Sequence, residues 1–209
     1  MVRVKICGIT NAADALAAVE AGANLLGFNF YEKSARFLTQ SAAAKIRTQL
    51  PKNVEAVGIF VNKPAADVAA LCTSLKLHAA QLHGDEPPEA VAELGRSVPV
   101  IKAFRVEPDF PLKTLDEYHD AFAFLFDAAH TGQYGGTGRT TDWDVARRAA
   151  KDHRIILAGG LKVENVAAAV RIVRPYGIDV ASGVESKPGK KDHGRLREFI
   201  QEVRRAERK

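Results

Sequence analysis

The sequence predicts a closed (β/α)8 barrel. Short apolar, β-branched runs alternate with alanine-rich amphipathic stretches along the whole chain, eight such units fit within 209 residues, and polar and glycine residues collect after the strand candidates. Alternation of this kind demands parallel strands joined by right-handed crossovers, and eight units over about 200 residues meet the lower size limit of a barrel. The runner-up is an open doubly wound sheet. Such a dinucleotide fold carries its glycine fingerprint after the first strand, where this chain reads Cys7-Gly8-Ile9-Thr10. No linker or composition shift divides the chain, so one barrel domain over residues 1–209 is expected.

Strands are expected at residues 2–6, 25–30, 54–61, 79–82, 98–104, 122–126, 155–158 and 178–181. Helical periodicity fills 12–21, 41–50, 65–75, 87–94, 143–150, 163–173 and 196–205, and the fifth connection, 112–118, is weaker. Cap residues agree with this order. Thr10 or Asn11, Ser41, Asp142 and Asp192 stand before helices, and Gly22 and Gly95 after them.

Composition excludes several classes. Hydrophobic residues at 46% and charged residues at 26% suit a globular protein rather than a disordered one. No apolar run is long enough to span a bilayer and no secretory signal is legible, so a cytoplasmic location with no membrane partner is expected. Cys7 and Cys72 fit no metal-ligand spacing and read as free thiols in a reducing compartment, Cys72 inside a buried helix face. The net charge of +5 is concentrated near the C-terminus, in Lys187, Lys190, Lys191, Arg195, Arg197, Arg204, Arg205, Arg208 and Lys209, which read as a solvated helix face. Without aromatic and basic interleaving, nucleic acid is not the expected partner.

A closed barrel brings all eight strand ends to one face, so residues about 120 apart in sequence become neighbours there. Cys7 ends the first strand and Asp127 the sixth. A thiol and a carboxyl with no triad and no metal cluster propose acid and base catalysis without a cofactor. A free thiol is only a few per cent ionised at pH 7, a handicap of roughly 2 kcal/mol unless a cation such as Lys5 lowers its pKa. Raising a carboxyl from about 3.9 to 7 would take some 4 kcal/mol. The alternative for Cys7 is an inert core thiol.

Gly159-Gly160 after the seventh strand and Ser182-Gly183 after the eighth stand where barrel enzymes build a phosphate site, although either pair alone could simply make a tight turn. Gly135-Gly136-Thr137-Gly138 lies in the longest loop, 128–141, and reads as a lid segment; it lacks the Lys-Ser/Thr ending of a nucleotide loop. Arg36, after the second strand, suits bidentate capture of a carboxylate, or is a surface arginine. His83 either lines the pocket or ends the fourth strand through a local hydrogen bond, and no proton transfer is assigned to it.

Lys5-Ile6-Cys7-Gly8-Ile9-Thr10, Gln81-Leu82-His83-Gly84, Gly135-Gly136-Thr137-Gly138, Leu157-Ala158-Gly159-Gly160-Leu161, Ser182-Gly183-Val184-Glu185 and Pro188-Gly189-Lys190-Lys191-Asp192 appear in that order. With these motifs the chain closely resembles the phosphoribosylanthranilate isomerase family of tryptophan biosynthesis, a barrel of the ribulose-phosphate-binding type. The resemblance implies an Amadori rearrangement of N-(5-phosphoribosyl)anthranilate to a carboxyphenylamino-deoxyribulose phosphate, with no cofactor. It implies Asp127 as the general acid at the furanose ring oxygen, Cys7 as the base at ribose C2, and Arg36 at the anthranilate carboxylate. Gly136, Gly159, Gly160, Ser182 and Gly183 fall to the phosphate side and lid, with Asp179 in a binding or supporting role. A small phosphosugar is the implied partner, and the chain would act as a monomer or homodimer.

The chain departs from the family pattern at Ala128 and Ala181, where the family often has Ser, and at Ala35, where it often has Pro. The competing readings are a histidine-pathway isomerase or indole-glycerol-phosphate synthase, both disfavoured by Cys7 on the first strand, and a catalytically idle phosphate-binding barrel.

Overall fold

The computed structural model describes residues 1–128 and 143–208. Eight parallel strands close into a ring in sequence order: β1 (Arg3–Cys7), β2 (Leu25–Asn29), β3 (Glu55–Phe60), β4 (Ala79–Leu82), β5 (Val100–Val106), β6 (Ala123–Ala128), β7 (Ile155–Leu157) and β8 (Gly177–Val180). The ring is completed by β1 and β8, with Lys5 opposite Asp179. The helices α1 (Ala12–Glu20), α2 (Gln40–Arg47), α3 (Ala65–Leu75), α4 (Pro88–Gly95), α5 (Thr114–Glu117), α6 (Trp143–Ala149), α7 (Val163–Val173) and α8 (His193–Glu207) connect or follow the strands.

Alternation along each strand sorts side chains to two cores. One set of strand positions faces the helices, where Val4, Ile6, Leu26, Phe28, Phe60, Phe124 and Phe126 join the large outer core. The other faces the barrel axis, filled by Leu25, Val57, Ala79, Ile101, Ala103, Ala123, Leu125, Ile156 and Ala158. On α8 the buried residues Leu196, Phe199, Ile200, Val203 and Ala206 follow helical spacing. Each large one contributes about 1.5–3 kcal/mol on burial, against about 0.3–0.5 kcal/mol for an exposed pair such as Arg205–Glu202. The apolar stripe therefore docks the helix.

Some boundaries moved. Asn11, not Thr10, caps α1 by accepting from the Asp14 N–H at 2.8 Å, while Thr10 Oγ1 donates to the Gly189 carbonyl. Thr39 rather than Ser41 caps α2, since its hydroxyl accepts from the Ala42 N–H. Gly95 closes α4 instead of following it, and the fifth helix is a single turn. Asp192 caps α8 as its sequence implies. Asp142 and most of the 128–141 loop, Gly136 included, lie outside the described residues.

One element had no signal in strand periodicity. After β8 a 3-10 turn (Ser182–Val184) leads into a small hairpin, β9 (Glu185–Lys187) and β10 (Lys190–Lys191), before α8. It corrects the reading of the C-terminal basic residues as one solvated face, because Lys191 is only 3% exposed. Arg204 is also engaged, donating to the Val2 carbonyl at 2.8 Å and so tying α8 to the chain before β1. Arg195, Arg197 and Arg205 are solvent-exposed as expected.

Candidate active site

On β1 the axial positions are Arg3, Lys5 and Cys7, a polar file between Val2, Val4 and Ile6. Lys5 is 1% exposed and its ammonium lies 2.9 Å from Asp179 Oδ1. Burial opposes that charge, but Asp179, with Cys7, outweighs it and raises the lysine pKa. Cys7 is half-buried above Lys5, with Gly27 of β2 beside it: a β-carbon at Gly27 would lie 3.1 Å from the sulfur. Burial first and then the Asp179 charge push the thiol up, and Lys5 and Lys191 pull only partly against them. The expected lowering by Lys5 is thus present but does not prevail, because Lys5 is already committed to Asp179.

Lys191 reaches in from the hairpin. Its Nζ donates to the Cys7 carbonyl at 2.6 Å, the Ala181 carbonyl at 3.2 Å and Glu185 Oε1 at 2.8 Å, which uses all three ammonium donors. Burial nonetheless lowers its pKa. Glu185 in turn holds Arg36 in a bidentate pair, Nε to Oε1 at 2.9 Å and Nη2 to Oε2 at 2.7 Å. Arg36 is therefore not a free surface arginine. Glu185 fixes the Nε–Nη2 edge of its guanidinium at the barrel rim.

Asp127, next to last on β6, stands opposite Arg105 of β5 and is 7% exposed. In the ring β6 stands three strand steps from β1, so Asp127 and Cys7 sit on opposite sides of the same C-terminal mouth. His83 Nε2 lies 3.5 Å from Asp127 Oδ2, and His83 Nδ1 is 2.9 Å from the buried Gln81 amide nitrogen. An amide donating to Nδ1 puts the proton of a neutral ring on Nε2, toward the carboxyl. His83 lies beside Asp127, and its own N–H donates to Phe60 O at 2.8 Å, the local hydrogen bond expected at the end of β4. The loop after it is anchored by Glu86, which accepts from the Asn62 and Gly84 N–H groups and pairs with buried Lys102 at 2.8 Å.

On the remaining arc the β7 and β8 loops interlock. Gly159 and Gly160 have φ of +79° and +63°, and Asn165 near the start of α7 donates to the Gly160 carbonyl at 2.9 Å. A β-carbon on Gly183 would lie 1.9 Å from the Leu161 carbonyl oxygen, so only glycine lets the loops approach this closely. Ser182 is exposed at the mouth, and Asp179 faces the axis.

The structure brings Cys7, Arg36, His83, Asp127, Asp179 and the two glycine pairs to one end of the barrel. Gln81, Glu185 and Lys191 stand within the quoted motifs, but the sequence assigns none of them a role of its own. Gln81 was legible, since it shares the axial file of β4 with His83. The inward turn of Glu185 and Lys191 was not, because two- and three-residue strands are too short to show a period.

A family model described as N-(5'phosphoribosyl)anthranilate (PRA) isomerase matches residues 4–202. The chain is 50% identical over 200 residues to the N-(5'-phosphoribosyl)anthranilate isomerase of Pelobacter propionicus, covering 96% of this chain and 94% of that one. Among solved structures it is similar to monomers derived from the dimeric phosphoribosylanthranilate isomerase of Thermotoga maritima (TM-score 0.87, 39% identity, 98% and 99% of the two chains). It is likewise similar to a phosphoribosyl anthranilate isomerase in complex with reduced 1-(o-carboxyphenylamino)-1-deoxyribulose 5-phosphate (TM-score 0.88, 39% identity, 98% and 99%).

Proposed function

Because the chain belongs to the N-(5'-phosphoribosyl)anthranilate isomerase family, we propose that Cys7 and Asp127 perform the proton transfers of that isomerisation. The protein rearranges N-(5'-phosphoribosyl)anthranilate to 1-(2-carboxyphenylamino)-1-deoxyribulose 5-phosphate. Substrate and product are isomers, so hydrogens are moved and no external oxidant is consumed. The ring oxygen gains a proton as the furanose opens to the Schiff base. C2 then loses its proton, and ketonisation takes the proton of the C2 hydroxyl and returns one to C1.

Asp127 is the acid for ring opening and Cys7 the base at C2. The single observation that carries this assignment is their placement across one mouth, at the ends of β6 and β1. His83 beside Asp127 is suited to hold that carboxyl in place. Arg36 receives the anthranilate carboxylate with the guanidinium edge that Glu185 leaves uncovered. Gly159, Gly160, Ser182 and Gly183 accommodate the phosphate. The solved relative's ligand carries both anions, one at each end, as this division requires.

A small soluble substrate, two free thiols and no helix of the described residues long and apolar enough to cross a membrane suit a cytoplasmic enzyme. It acts as a monomer or, like the Thermotoga maritima relative, as a dimer. The test is loss of substrate fluorescence on adding purified protein to freshly made phosphoribosylanthranilate. Asp127→Asn and Cys7→Ala are each expected to lower kcat by about 10²–10⁴-fold, the usual contribution of one acid or base. Turnover unaffected by either change would remove these two residues from the mechanism.

A further inference from the structure

We propose that Lys5 is a positioning residue shared between Asp179 and the Cys7 sulfur, and that Asp179 thereby sets how readily Cys7 gives up its proton. The proposal rests on Cys7 as the base and adds how that base is made available.

Geometry comes first. Lys5 and Cys7 are two residues apart on β1 and point the same way, toward the axis, so the lysine chain runs beneath the thiol. Its Nζ meets Asp179 Oδ1 at 2.9 Å from the neighbouring strand, and Cys7 is the second group whose charge acts on it. At 1% exposure bulk solvent scarcely reaches the ammonium, so its protein acceptors dominate. In such a site the interaction is far stronger than in bulk solvent.

Among the described residues, the charged groups facing Cys7 are Lys5 from its own strand, Asp179 from β8, Arg36 from the loop after β2, and Glu185 and Lys191 from the hairpin. Lys191 spends its three donors on two carbonyls and Glu185, and it addresses the Cys7 backbone rather than the sulfur. Arg36 is held bidentately by Glu185. Lys5 has one carboxylate partner and donors to spare. Three cations against two carboxylates leave this group one positive charge in excess when Cys7 is a thiol. Ionisation of Cys7 makes it neutral. A buried excess charge is costly, so the cations work against the rise that burial and Asp179 impose on the thiol, and more fully as Asp179 releases Lys5. The directions agree, since the Asp179 charge raises the thiol pKa and Lys5 lowers it.

The experiment measures thiolate directly, as the pH dependence of iodoacetamide alkylation at Cys7 followed by intact mass, with the pH profile of kcat/KM alongside. A Cys72→Ala background removes the other thiol, which is buried in α3 and pushed up to about 11. Asp179→Asn is expected to move the alkylation midpoint to lower pH, and Lys5→Met to move it higher and slow labelling about tenfold or more at fixed pH below the midpoint. The Lys5→Met/Asp179→Asn double variant leaves neither charge unpaired and guards against misfolding of Lys5→Met. Its midpoint is expected between those of the single variants, above Asp179→Asn because it lacks the cation and below Lys5→Met because it lacks the unpaired carboxylate. A folded double variant that labels like Asp179→Asn, or an Asp179→Asn midpoint that stays or rises, would overturn the proposal. Alkylation does not depend on turnover, so an inactive Cys7→Ala or an active one judges the base assignment separately.

Discussion

The backbone of Gly8 runs so close beneath the Arg36 side chain that a β-carbon on Gly8 would lie 2.3 Å from Arg36 Cδ. Gly8 also has φ of +72°, a conformation that side chains disfavour. The turn that ends β1 next to Cys7 thus also seats the arginine of the following loop.

Gly8→Ala is therefore expected to act through Arg36. Arg36→Ala should raise KM by the equivalent of about 1–3 kcal/mol, the worth of a charge-assisted hydrogen bond. Gly8→Ala should raise KM in the same direction by displacing the guanidinium. Steady-state kinetics of both variants decide the matter. If KM and kcat are unchanged in Arg36→Ala, the arginine does not hold the carboxylate.

The contact of Gly183 with the Leu161 carbonyl gives a second expectation. Both atoms belong to backbone, so alanine at 183 must force the β7 and β8 loops apart. Inorganic phosphate should inhibit the parent competitively, and Gly183→Ala should weaken that inhibition by about 1.5–3 kcal/mol. An unaltered inhibition constant would place the phosphate elsewhere.

Glu185 makes stability depend on acid. Burial alone would raise its pKa, but the hydrogen bonds from Arg36 and the charge of Lys191 reverse the direction and lower it. A carboxyl lowered on folding contributes stability that is complete above its unfolded value, about 4.3, and is lost as pH falls through the folded one. Urea midpoints should fall below about pH 4. Glu185→Gln should lower the neutral-pH stability by about 3 kcal/mol, as breaking a buried pair does, and flatten the acid limb. An acid limb as steep as the parent's would assign the effect to other carboxylates, such as Asp14, whose pKa is likewise lowered.

What could be read from the chain alone follows from the range of the forces involved. Strand and helix periods are local, so the eight units, the end-of-strand places of Cys7 and Asp127 and the cap at Asp192 were all legible before any contact was known. The polar file Arg3, Lys5, Cys7 was equally present in the sequence, and in a strand buried on both faces such a file marks the side that faces the barrel axis. The glycines at 159, 160 and 183 could be placed at the correct loops, but not the reason for them, since that is a contact between two loops.

By itself, then, the sequence determined the alternating barrel and the residue types at its C-terminal mouth, because hydrophobic period and turn chemistry act over a few positions. Only the tertiary structure decided which charges meet. Lys5 reaches Asp179 across 174 positions, and Lys191 leaves an apparently solvated basic run to bind the Cys7 carbonyl 184 positions away. Closing the ring between β1 and β8 removes water from these groups, and once desolvated each ion must take the partner that geometry offers.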